Sequence, residues 1–189
     1  NEPRKADEQM SEFLGVDHAG IGVGDMDKAF TFWMDKLGFT EVFFDYTGPV
    51  PGLEEITKNK NTKARIVMLG NKFTTRLGPG KVKLVQRLDG LGAPVYPPAI
   101  GYGEVGLAEV CLHTLHTEKI FRDLVDKRGC KSLMEPLSAA VGEHKIELDI
   151  AYIADPWMGK VELIDWKGLW TSRPAAPRIE GVNHVAFGV

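Results

Sequence analysis

The chain has only two cysteines in 189 residues, Cys111 and Cys130. Their number and spacing match neither a disulfide framework nor a metal knuckle, so a reducing compartment is the expectation. Long apolar runs are also missing. No stretch of about 18 apolar residues occurs, so no membrane span is expected. A formal net charge of −3, with no Lys/Arg cluster, gives no electrostatic footprint for nucleic acid or for an anionic membrane surface. The opening segment Asn1-Glu2-Pro3-Arg4-Lys5-Ala6-Asp7-Glu8 has no apolar stretch of the kind a secretory signal carries. Residues 1–13 read as a polar lead-in, and a cytoplasmic location is the expectation, with room for a processed N-terminus because the first residue is not Met. What is present is the composition of an ordinary globular chain, 43% hydrophobic and 26% charged, enough for one domain or two small ones.

Against that plain background one stretch recurs. Gly15-Val16-Asp17-His18-Ala19-Gly20-Ile21-Gly22-Val23 and the segment after it align without a gap on Gly106-Leu107-Ala108-Glu109-Val110-Cys111-Leu112-His113-Thr114 and its continuation. At this offset of 91 residues Lys28 falls on Lys119, Phe30 on Phe121, Asp35-Lys36 on Asp126-Lys127 and Gly38 on Gly129. A core position, a polar turn and a terminating glycine therefore repeat together, which outranks any single motif as evidence about architecture. The strand alone returns a third time in Gly181-Val182-Asn183-His184-Val185-Ala186-Phe187-Gly188-Val189.

Periodicity fills in each copy. Alternation over 16–23 predicts a strand with Ala19, Ile21 and Val23 on one face and His18, Gly20 and Gly22 on the other. Asp25 is placed to cap a helix over 26–37, whose stripe is Ala29, Phe30, Trp33 and Leu37, and Gly38 ends it. Strands are expected over 41–46, 64–69 and 81–86, with a loop over 47–61 of the length that often serves as a lid or binding loop. The second unit reads as strand 107–114, helix 118–128 capped by Thr117, and strands 132–135, 145–154 and 160–165. The expected division is a first unit over 14–87, a Pro-rich linker over 88–103, a second unit over 104–166, a linker over 167–180 and the lone strand 181–189.

Two tandem β-α-β-β-β units, a strand opening Gly-Val-Asp-His, a helix closing on Asp-Lys-Leu-Gly-Phe, and the turn Asp155-Pro156-Trp157-Met158-Gly159 before Val161-Glu162-Leu163 resemble the vicinal oxygen chelate superfamily. This is the glyoxalase I, bleomycin-resistance and extradiol-dioxygenase group. The resemblance spans residues 13–166. It implies an α+β fold of two tandem βαβββ units forming a cupped mixed sheet with helices outside. It implies too a divalent metal cation in the cup, held from the first and last strands of each unit. Carried over residue by residue, those positions are His18, Lys83, Glu109 and Glu162. His18, Glu109 and Glu162 are competent metal ligands, whereas a protonated lysine cannot coordinate. Lys83 is read either as a general base beside the cation or as the charge that neutralises Glu109 and Glu162 in a site that has lost its metal.

Glu162, Lys83 and His113 are the candidates for a catalytic role. His113 shares a strand face with Glu109, although a satisfied, half-buried histidine is the plainer reading. His116 reads as structural and His144 as exposed, Glu147 and Asp149 as a polar wall or a solvated face, and Trp157 and Trp166 as packing residues. The implied activity is that of an isomerase, epimerase or lyase acting on a small substrate with adjacent oxygens. A metal-free binding protein of the bleomycin-resistance kind, or the degenerate half of a four-unit dioxygenase-like protein, are the alternatives. A homodimer is open, since the family closes its sheet within or between chains. Two outcomes are open for the last strand: it adds to a sheet edge, or it begins a third unit. The repeated histidine, His184, favours the second.

Overall fold

The computed structural model describes residues 16–50, 52, 54–74, 80–90, 106–141, 143, 145–167 and 174–188. Strands β1 (His18–Gly22), β2 (Glu41–Pro49), β3 (Lys63–Gly70) and β4 (Lys81–Arg87) form one sheet in the order β1-β4-β3-β2. Strands β5 (Gly106–Leu115), β6 (Lys131–Val141), β7 (Ile146–Ala154), β8 (Lys160–Trp166) and β9 (Arg178–Gly188) form a second, in the order β6-β7-β8-β5-β9. In each unit the first strand pairs parallel with the last, β1 with β4 and β5 with β8, and the other pairs within a unit are antiparallel. This is the α+β arrangement of two βαβββ units that the repeat implies. Among the described residues no helix is long and apolar enough to cross a membrane.

The helices repeat down to single hydrogen bonds. Helix α1 (Met26–Phe30) passes into a π-helical turn (Thr31–Lys36), and α3 (Thr117–Arg122) into another (Asp123–Lys127); the short α2 (Glu54–Thr57) lies between β2 and β3. Lys28 and Lys119 are each the third residue of their helix. The i→i−5 bond from Leu37 N to Phe32 O matches the one from Arg128 N to Asp123 O, both 3.1 Å. One residue further on, Gly38 (φ 81°) and Gly129 (φ 63°) take the left-handed conformation that reverses the chain. Asp25 caps α1 as its sequence predicts, its Oδ1 accepting from Lys28 N at 3.0 Å.

Each sheet buries one face beneath the helices. Ala19, Ile21, Val67, Leu69, Val82 and Leu84 of the first sheet belong to the same apolar cluster as Val110, Leu112, Ala151, Ile153, Val161 and Leu163 of the second. Phe32, Trp33, Phe121 and Leu124 join that cluster from the helices. Fully burying a side chain of this size contributes roughly 1.5–3 kcal/mol, so the shared cluster welds the two units together. The odd-even alternation leaves His18, Gly20, Gly22 and Lys83 on the other face of the first sheet, and Cys111, Glu162 and Ile164 on the corresponding face of the second.

Beyond shifts of one or two residues at element ends, three features differ from the sequence reading. Strand β2 continues through Gly48 and Pro49, which pair with Ala64 and Lys63, and α2 occupies part of the expected 47–61 loop. Strand β6 runs on through Pro136 to Val141 instead of stopping at Glu135. Both are edge strands, where a proline forfeits no ladder bond, and in β6 the register shifts around Pro136. His116, not Thr117, occupies the cap of α3, in a left-handed conformation (φ 64°); Thr117 is the first helical residue and its hydroxyl bonds Thr114 Oγ1 at 2.8 Å.

Strand β9 closes the seam between the sheets. It pairs antiparallel with β5, and Val182 exchanges two backbone bonds with Gly80, at 3.0 and 3.1 Å, beside the first sheet. Asn71 Nδ2 donates to Ile179 O at 3.1 Å. One edge of β9 is thus paired along β5, and from the first unit Gly80 meets Val182 and Asn71 meets Ile179.

Candidate metal centre

The open face of the second sheet carries a transverse row of reactive side chains. Register pairs Tyr152 of β7 with Glu162 of β8, Glu162 with Cys111 of β5, and Cys111 with His184 of β9. Directly paired residues point to one face, and neighbouring strands lie about 4.8 Å apart, so such a row converges by construction. One ligand atom from each of Cys111, Glu162 and His184 lies within 4.8 Å of the other two. His184 Nε2 is 3.4 Å from Glu162 Oε2, and the Tyr152 hydroxyl donates to Glu162 Oε1 at 3.2 Å. Glu109 sits two residues before Cys111 on β5 and senses Glu162, Tyr152 and His184. Below the row Leu148, Ile150, Ile164, Ala139 and Trp166 pack around Cys111 as an apolar floor.

Burial sets the electrostatics. Glu109 and Glu162 are 5% and 6% exposed, and the Oε2 of each has no hydrogen-bond partner. Burial holds the Glu109 carboxyl above its ordinary range, and the Glu162 charge adds to this, while Tyr152, His184 and Lys160 oppose it. Burial also pushes the Cys111 thiol and the Tyr152 phenol far up, with the nearby carboxylates reinforcing it, so both keep their protons.

The residues present fit the divalent cation that the resemblance implies. Glu162 Oε2 is buried without a hydrogen-bond partner and His184 Nε2 stands 3.4 Å from it, so one cation would satisfy both; Glu109, whose Oε2 is also without a partner, lies outside the group of ligand atoms within 4.8 Å of one another. Of the ligands that the resemblance implies, Glu162 belongs to this group of atoms, and Glu109 sits two residues before Cys111 on β5. His18 lies on the open face of the first sheet, its Nδ1 2.9 Å from Asp17 Oδ2, and Asp17 is also bonded by Lys81 at 2.5 Å. Lys83 is half-buried on that face, across the ladder from Gly20. His113 turns to β9, its Nδ1 2.8 Å from Glu180 Oε2, the satisfied, half-buried arrangement.

The remaining candidates lie away from this row or outside the described residues. His116 Nε2 meets Pro174 O at 3.1 Å, and Asp149 is bonded by Ser138 and Lys167. Glu147 is exposed, Trp157 packs against the main core, and His144 lies outside the described residues. The sequence reading passed over Cys111 and Tyr152 as site residues and reserved His184 for a further unit. The signal for Cys111 was its position two residues after Glu109. For His184 it was the third copy of the strand.

No curated protein matches the chain. Among solved structures, a glyoxalase family protein from Bacillus cereus is 14% identical, with 82% of this chain and 95% of that chain covered and a TM-score of 0.61. A glyoxalase family protein from Enterococcus faecalis is 19% identical, with coverage of 80% and 98% and a TM-score of 0.50. At these identities the likeness is one of fold. A family model described as the Glyoxalase/Bleomycin resistance protein/Dioxygenase superfamily matches residues 15–162, from the start of the first repeat to Glu162, and leaves β9 outside the match. The chain belongs to the Glyoxalase/Bleomycin resistance protein/Dioxygenase superfamily.

Proposed function

We propose that the protein is a metal-dependent isomerase, epimerase or lyase for a small substrate with two adjacent oxygens. Glu162 and His184 hold the cation, and Glu109 moves the proton. The observation that carries this reading is the buried Glu162 Oε2, without a hydrogen-bond partner and 3.4 Å from His184 Nε2. When bound, a divalent cation supplies Lewis-acid stabilisation of negative charge developing on the substrate oxygens. Glu109 is suited to take a proton from the carbon next to a carbonyl, because burial has already raised its proton affinity above that of an exposed carboxylate. Tyr152 keeps its proton and orients Glu162 by donating to Oε1. The apolar floor of Leu148, Ile150, Ile164 and Trp166 excludes water beneath the row. Lys83, on the open face of the first sheet, enters the proposal as a charge partner for an anionic substrate, and neither it nor His18 on the same face holds the cation.

One observation favours a second reading. With Glu109 protonated, the two carboxylates form a pair of lower charge that needs no metal, as in a sequestering protein. The readings separate in heavy water. Metal-loaded protein is incubated with a panel of α-hydroxy and α-keto carbonyl compounds and carbon-bound proton exchange is followed by NMR. The catalytic reading expects exchange that disappears on metal removal and in Glu109→Gln. Binding without exchange, indifferent to metal, would establish the sequestering one.

A further inference from the structure

The site contains a sulfur atom that the oxygen and nitrogen ligand set does not use. Cys111 occupies the centre of the transverse row, paired with Glu162 on one side and His184 on the other. Its Sγ belongs to the group of three ligand atoms within 4.8 Å of one another. Ligand atoms about 2.0–2.3 Å from a tetrahedral ion lie roughly 3.3–3.8 Å apart, so the three need only a small inward movement to share one ion. The side chain is fully buried, and the neighbouring Glu162 Oε2, 6% exposed, has no hydrogen-bond partner. A buried carboxylate with one unpartnered oxygen beside a buried sulfur and an imidazole is a ligand arrangement, whereas a cysteine serving only as a small apolar filler would not need either neighbour.

We propose that Cys111 is itself a metal ligand, so that the centre is a sulfur, nitrogen and oxygen set of Cys111, His184 and Glu162. Glu109 is the carboxylate left facing the substrate. This rests on the metal reading above and adds the class of cation. A thiolate favours borderline ions such as zinc or cobalt and disfavours magnesium and calcium, which take all-oxygen shells. On binding, the S–H bond breaks as the sulfur–metal bond forms, and the proton leaves to solvent, with no change of oxidation state.

Cobalt(II) added to the metal-stripped full-length protein is the test. The expected result is one bound equivalent, an intense near-ultraviolet sulfur-to-cobalt charge-transfer band, and proton release in weakly buffered solution. Magnesium should not displace the cobalt. In Cys111→Ser the band should vanish while the weaker ligand-field bands persist at lower affinity; in Cys130→Ser it should remain. Cobalt bound to the unaltered protein without the charge-transfer band would overturn the role of Cys111 and leave the Glu162–His184 centre standing. A band that survives Cys111→Ser would overturn it equally. Failure to bind cobalt at all would sink both readings. Because the spectrum of the unaltered protein decides the first point, the proposal does not depend on any variant folding.

Discussion

Asp155 and Glu109 are both buried, yet backbone amides meet the first, and the second has an oxygen with no donor. Asp155 Oδ1 accepts from Trp157 N at 2.8 Å and from Gly159 N at 2.7 Å, fixing the turn that leads into β8. Asp155→Ala leaves those amides unsatisfied and is expected to cost about 1–3 kcal/mol; Asn, which keeps an acceptor oxygen, should cost less, as denaturant titration of both variants would show. Glu109 acts in the opposite sense. Its folded pKa lies above the ordinary 4.5. Its contribution to stability is therefore complete below that value and is lost as pH rises through the folded value, where the buried group must ionise. Metal-stripped protein should thus lose stability with rising pH over that window, and Glu109→Gln should flatten the decline. A melting-temperature series from pH 4 to 8 checks it. Neither orphaned oxygen was legible in the sequence, because partnerlessness depends on which strands flank the residue.

At the scale of elements, the repeat gives paired predictions. Gly38 and Gly129 occupy the same left-handed position after the same π-helical turn. Alanine at either should cost about 1–2 kcal/mol, and nearly the same at both; a large inequality in urea midpoints would mean that the helix ends are not equivalent. Strands β1 and β9 repeat in sequence but differ in surroundings. His184 stands 3.4 Å from Glu162, whereas His18 is bonded to Asp17. His184→Ala should weaken cation binding more than about tenfold, and His18→Ala should change it little, as calorimetric titration would report. The sequence pattern located these strands and their inward faces, since alternation needs only the chain itself. It did not reveal which histidine meets Glu162, because that depends on β9 pairing beside β5, a contact between segments about 70 residues apart. The lengths of β2 and β6 were likewise hidden by Pro49 and Pro136, which read as strand breakers until the strands are known to be edges.

Over the whole molecule, the two units share one apolar cluster, and β9 hydrogen-bonds across their seam. Thermal or denaturant unfolding is expected to be a single cooperative transition, with fluorescence and far-ultraviolet circular dichroism coincident; two separated transitions would mean that the units are independent. The architecture was legible because a repeated hydrophobic pattern and its caps carry it. Its chemistry was legible only in part. The fold accommodates several reactions, and the side chains that select among them sit in one row that forms when β7, β8, β5 and β9 align. The central claim is that this row binds a cation through Glu162. The most direct measurement is the metal content, by elemental mass spectrometry, of protein equilibrated with zinc and then dialysed, alongside Glu162→Gln shown by circular dichroism to be folded. The account predicts close to one equivalent in the first and essentially none in the second. Equal zinc in both, or none in either, would contradict it.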